Sequence, residues 1–157
     1  MPRRDFQYGA AVYGSVLVTA LVGAMFEQHV DAKRMTLSLL GSVVVFWLAH
    51  AWSEVVGERM SAGRRFARSH IREIAVAEWP LVEAGLLPAL LLALAWAGLY
   101  SRDAGAVLAL AVAIGQLVGW GAVAGHRSET SWPAALLVGA VDGLLGLAIV
   151  ALELALH

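Results

Sequence analysis

The sequence predicts an all-α fold: a polytopic integral membrane helical bundle of five transmembrane helices, with an amphipathic helix between the second and third. Three observations carry this. Sixty per cent of the residues are hydrophobic, above the ~45–50% typical of soluble domains. A hydrocarbon core about 30 Å thick needs roughly 20 apolar residues of helix, and the runs 8–28, 35–56, 80–101, 104–125 and 132–154 reach that length. Away from their ends, only His50 and Asp142 place a titratable group inside these runs. The spans consume most of the chain, so residues 1–157 are expected to form a single membrane domain with no soluble catalytic module.

The first span follows Arg3-Arg4-Asp5-Phe6, which imitates a secretory or twin-arginine signal. Its apolar run exceeds the about 7–15 residues of a signal peptide, so it is expected to be retained. Orientation follows from the cations. Arg3 and Arg4, then Arg59, Arg64, Arg65, Arg68 and Arg72, then Arg127 fall on the N-terminal side; Lys33, Arg34 and Arg102 fall on the other. Positive charge collects on the cytoplasmic side, which puts the N-terminus in the cytoplasm and His157 outside. Aromatic anchors gather at headgroup level and agree, with Tyr8, Trp52, Trp79, Trp120 and Trp132 at the inner interface and Trp96 and Tyr100 at the outer one. Arginine-rich, asparagine-free usage points to a GC-rich bacterial genome, hence a bacterial inner membrane.

Residues 57–79 form the one sizeable segment between spans. Phe66, Ala67, His70, Ile71, Ile74 and Ala77 recur at helical spacing while Arg64, Arg65, Arg68 and Arg72 gather on another side. Such a helix lies on the inner leaflet, where each arginine near anionic lipid contributes about 1 kcal/mol. The alternative use of this segment is metal capture through His70, Glu73 and Glu78, with Glu54 from the second span. Pro80 marks the entry to the third span and Pro88 lies inside it. In the last two spans Gly115/Gly119, Gly121/Gly125 and Gly139/Gly143 are small residues four apart, the spacing that lets helix backbones approach.

Net charge is −1 and there is no cysteine, which argues against nucleic acid as a partner and excludes disulfides and thiolate chemistry. No hydrolase triad, phosphate-binding glycine loop or HExxH pair is present, so no enzymatic activity is expected. The polar residues that demand a reason are those within the spans. A carboxylate at mid-bilayer costs several kcal/mol and is by default a functional site; that residue is Asp142. His50 and Glu54 share a helix face that Glu58 continues. Glu83 enters the third span from the same side, and Gln116 lies midway along the fourth. Together, Asp142, Glu54, His50, Glu83 and Gln116 are candidates for an ion pathway, relaying protons or coordinating a divalent cation. The expectation is a cation transporter or channel, divalent-metal or proton-coupled. The alternative is a non-transporting subunit or scaffold that binds a partner through its glycine faces and arginine-rich helix.

Several residues carry a family likeness. Arg4-Asp5, Gly9-Ala10, Gly14, Thr19 and Gly23 look like the first span of the vacuolar iron transporter family, and Ser53-Glu54 with Glu58-Arg59 look like the end of its second. The five spans, the inner N-terminus, the charged helical insert and the small-residue texture around Gly121, Gly139 and Gly143 also resemble that family. The chain departs from it at Tyr13, where the family carries a metal-binding acid. Its insert is mainly arginine, with Glu73 and Glu78, where the family's is rich in Glu and Met ligands. The resemblance implies that Glu54 is the second-span acid, that a divalent metal is the substrate, and that the protein is a homodimer with its pathway between first spans.

Overall fold

The computed structural model describes residues 3–62, 68–127 and 131–156. Six helices run in order: α1 Arg3–Glu27, α2 Ala32–Ala62, α3 Arg68–Ala77, α4 Pro80–Trp96, α5 Arg102–Arg127 and α6 Trp132–Leu156. No strand occurs among the described residues. Gly9–Glu27, Ala32–Glu58, Arg102–His126 and Trp132–Leu152 are each long and apolar enough to cross a membrane. The fifth expected span is different in kind. α4 has 17 residues, about 25 Å of helix, and it joins α3 through a 45° bend. The pair together passes the same length and composition test, which gives up to five crossings.

The boundaries of the inner segment also differ from expectation. α2 continues through 57–62, so that part of the expected 57–79 segment belongs to the second span's helix, and the amphipathic helix among the described residues is α3. Arg64 and Arg65 lie outside the described residues, as does the side chain of Arg68; Arg72 is exposed.

Local chemistry explains several helix ends. Asp31 caps α2 by accepting the Arg34 backbone N–H at 3.0 Å, and Ser101 Oγ accepts from Ala104 N–H to start α5. α4 stops at Gly98, whose φ of +84° suits a residue without Cβ; Gly98 N–H bonds Ala95 O and Leu99 N–H bonds Leu94 O. α1 stops the same way, with His29 in the left-handed position at φ 53°. Arg102 adds a second donor to that turn, giving N–H groups to Val30 O at 3.0 Å, Met25 O at 3.2 Å and Phe26 O at 2.5 Å. Its guanidinium also lies 4.8 Å from the Phe26 ring centroid. Arg102 therefore ties the end of α1 to the start of α5, beyond its part in the charge asymmetry.

The core sits where α1, α2, α4 and α5 meet, around Val18, Val22, Met35, Leu39, Val43, Leu81, Leu92 and Ala109. Gly14 brings α1 hard against α4, since a Cβ there would come within 2.8 Å of Leu81 O and 2.9 Å of Leu81 Cα. α6 packs along α5 and touches α1, leaving Leu136, Leu137, Leu144, Leu145 and Leu147 outward.

Candidate functional site

The corner between α3 and α4 is built from the outside in. α3 turns Ile74 into α2, against Ala51 and Val55. Near the end of α3 a helix has carbonyls without partners, and the Trp47 indole N–H supplies Ala75 O with one at 2.8 Å. The Trp47 ring then meets Trp79 edge-on, with centroids 5.6 Å apart. Pro80 opens α4 and has no N–H to continue the turn. Glu78 sits on the bend between the two helices, and its side chain points inward.

That side chain is the least expected feature of the molecule. Glu78 is 0% exposed, and neither carboxylate oxygen is hydrogen-bonded among the described residues. Its close polar partner among the described residues is the His50 Nε2, 3.3 Å from Oε2. Glu54, one turn further along α2, is near enough for its charge to act on Glu78. The His50 side chain is 36% exposed, so the imidazole links an enclosed carboxylate to the outside. Tyr13 stacks on that imidazole with centroids 5.6 Å apart and planes 24° apart. The close approach at Gly14 places its neighbour there.

Further along the same seam a second cluster forms. His70 Nε2 meets Glu58 Oε2 at 2.5 Å, and its Nδ1 lies 3.6 Å from Glu73 Oε2. All three side chains are partly exposed, by 30%, 43% and 51% for His70, Glu58 and Glu73. His50, Glu54 and Glu58 follow at four-residue steps along α2, so α2 and α3 share a seam of alternating acids and imidazoles.

The structure thus gathers some of the expected residues and separates others. His50 and Glu54 come together, and their companion is Glu78. The set Glu54, Glu73, Glu78 and His70 divides between the two clusters, and no group of three or more acids or histidines among the described residues is arranged to hold a metal ion. Glu83 is exposed. Asp142 lies elsewhere, on the α5–α6 seam, with Oδ2 where a Cβ of Gly121 would be. Gln116 does not reach it, and the Gln116 Oε1 is buried without a hydrogen bond among the described residues. The Ser15 and Thr19 hydroxyls donate to Ala11 O and Ser15 O of their own helix.

The glycine pairs divide too. Gly121, Gly125, Gly139 and Gly143 are all within contact of the facing helix; a Cβ on Gly139 would sit 2.6 Å from Val118 O, and one on Gly125 2.8 Å from Ala135 Cα. Gly115 and Gly119 face open space. Sequence reasoning had no signal for Trp47 as a site neighbour and marked Tyr13 only as a departure from the resembled family's acid, because both reach their partners across helices rather than along one. No family model, curated protein or solved structure matches the chain.

Proposed function

We propose that this chain is an integral membrane protein of five spans, the bent α3–α4 pair forming the third, and that it moves a cation using Glu78 and His50 as its ion seat. The observation that carries the reading is Glu78: fully enclosed, without a hydrogen bond among the described residues, and beside one imidazole. An ionised carboxylate in that state costs several kcal/mol, and such a group is retained where its charge is used. A helix broken at that residue fits the same reading, since non-helical backbone at membrane depth is tolerated where it is buried in protein or lines a water-filled cavity.

Its depth is consistent with an inner-facing seat. His50 lies 18 residues into α2, about 27 Å from its start. Glu78 lies just beyond the inner end of α4. Both distances approach the hydrocarbon thickness of about 30 Å, so the pair sits at the edge of the apolar slab, on the arginine-rich side. With the N-terminus cytoplasmic, that side is the inner leaflet, where Arg72 meets anionic lipid.

The test is flux through purified protein in liposomes, with proton and divalent-cation reporters. The wild type should move at least one cation, and Glu78→Gln should not. Correctly inserted wild-type protein that moves neither ion would sink the proposal.

One observation favours a second role beside it. Ala111, Gly115 and Gly119 recur every four residues on an outward face of α5, a spacing suited to close helix pairing and to a homodimer. Disulfide trapping of Gly119→Cys across two copies tests it, and its absence would leave a monomer.

A further inference from the structure

The groups around Glu78 identify the ion, given the transport reading above. A hard divalent cation takes six or more oxygen ligands, and zinc takes four donors. Glu78 has one imidazole nitrogen at 3.3 Å and one further carboxylate, Glu54, within electrostatic reach. A proton needs less. It neutralises a carboxylate that nothing else satisfies, and a single imidazole can deliver it.

The seam supplies the rest of a path. His50, Glu54 and Glu58 lie on one face of α2, each one turn from the next, and Glu58 touches His70 of α3, with Glu73 behind it. Residues four apart on a helix have Cβ atoms about 5–6 Å apart, a gap that a side-chain rotation or one bridging water closes. Among the described residues, the titratable groups on the elements around Glu78 are His50 and Glu54 of α2, Tyr13 of α1 stacked on His50, His70 and Glu73 paired further along α3, and Glu83 of α4, which is exposed. No lysine or arginine side chain among the described residues pairs with Glu78. Nothing there fixes its negative charge permanently.

We propose that the ion is the proton, and that Glu78 is loaded from the inner surface along the α2–α3 seam through His70, Glu58, Glu54 and His50. Each step conserves protons. The His50 imidazolium gives its Nε2 proton to the Glu78 carboxylate, leaving a neutral imidazole and a neutral acid. The imidazole is recharged by the Glu54 carboxyl, which is refilled in turn from the Glu58–His70 pair at the surface.

Proteoliposomes free of divalent metal, with an imposed membrane potential and an internal pH dye, test this. The wild type should carry a proton flux, and Glu78→Gln should lower it by at least about a hundredfold, the scale of a lost proton-transfer group. His50→Phe, which keeps the ring over Tyr13, should slow it less, and Asp103→Asn at the far end should leave it unchanged. Unchanged flux in Glu78→Gln overturns the proposal. Uptake of manganous ion with no proton flux in metal-free vesicles overturns the proton assignment and leaves the transport reading standing. No flux of either ion overturns both. A measurement on the wild type alone guards against a variant that does not fold. Dicyclohexylcarbodiimide modifies protonated carboxyls in apolar surroundings; it should label Glu78 by peptide mass and stop the flux. Labelling confined to other carboxyls, Asp142 among them, overturns the assignment.

Discussion

The α5–α6 pair and the α2–α3–α4 corner are both helix junctions, but they are held together by opposite means. α5 and α6 meet through absent side chains: Gly121, Gly125 and Gly139 let one backbone rest on the other, and Asp142 borders that contact without any hydrogen bond or ion pair to a described residue. The corner is held by side chains that reach across, with Trp47 donating to Ala75 O, Ile74 inserted into α2, and His50 beside Glu78. A junction of glycines gains close packing and has no group that changes state. A junction of acids and imidazoles is less favourable to bury and can respond to an ion. On the transport reading proposed above, the corner is the seam that handles the ion, and the two most prominent acids take different places. Asp142 has the more conspicuous position in the sequence, and Glu78 has the company.

The comparison breaks most sharply on steric grounds. Gly139→Leu forces a Cβ to within 2.6 Å of the Val118 carbonyl oxygen, a backbone atom that cannot swing aside. Overpacking of this kind costs typically 1–3 kcal/mol, and roughly 3 or more is expected where backbone is the obstacle. Gly119→Leu, on a face open in the single chain, should change the stability of the monomer by less than about 0.5 kcal/mol, and by more where two copies pair there. Thermal unfolding of the two variants in detergent measures both. Equal losses would mean that the open face of α5 is covered after all.

The corner should show the reverse sign. Replacing Glu78 by Leu removes a carboxylate that no hydrogen bond satisfies, and substitutions of buried ionic groups by apolar ones of similar volume often stabilise by about 1–4 kcal/mol. The prediction is a Glu78→Leu protein that unfolds at higher temperature and moves no ion. A large destabilisation would instead identify Glu78 as a structural anchor for the bend.

Much of the fold was legible because a bilayer imposes length, and four helices stand where apolar runs of that length occur. The third expected span, 80–101, was legible at its Pro80 entry but not at its end, since α4 stops at Trp96, and its pairing with α3 across a bend leaves no mark in hydropathy. The break at 78–79 depends on Pro80 and on α3 docking against α2, a contact between distant segments. Burial was less legible still. In a soluble helix the apolar stripe shows which face turns inward, but helices that are apolar all round carry no such signal. The pairs Gly121/Gly125 and Gly115/Gly119 look alike in sequence, and only the first has a neighbour. Glu78 reads as a candidate ligand in an exposed connector, four positions after Ile74; its enclosure follows from the turn that aims it at His50. His50 and Glu54 were recognisable from their shared face on α2, a local relation. Tyr13 was not, because its place over the imidazole depends on Gly14 lying against Leu81.

A smaller effect sharpens what holds the corner together. Trp47→Phe keeps an aromatic ring against Trp79 but removes the N–H that satisfies Ala75 O. That carbonyl lies in the last turn of α3, where no later N–H of the helix takes it: Trp79 N–H bonds Val76 O instead, at 3.3 Å. A lost hydrogen bond of this sort is worth about 1 kcal/mol, too little to unfold the bundle. It is large relative to α3 itself, because a ten-residue helix is marginal without tertiary contacts. Hydrogen exchange should therefore rise about fivefold at the amides of 72–77, by the conversion of about 1 kcal/mol, and stay unchanged in α5 and α6. Exchange that rises equally in all helices would show the corner and the glycine seam to be one cooperative unit. A rise confined to α3 would make that helix a separately movable cover over the Glu78–His50 pair.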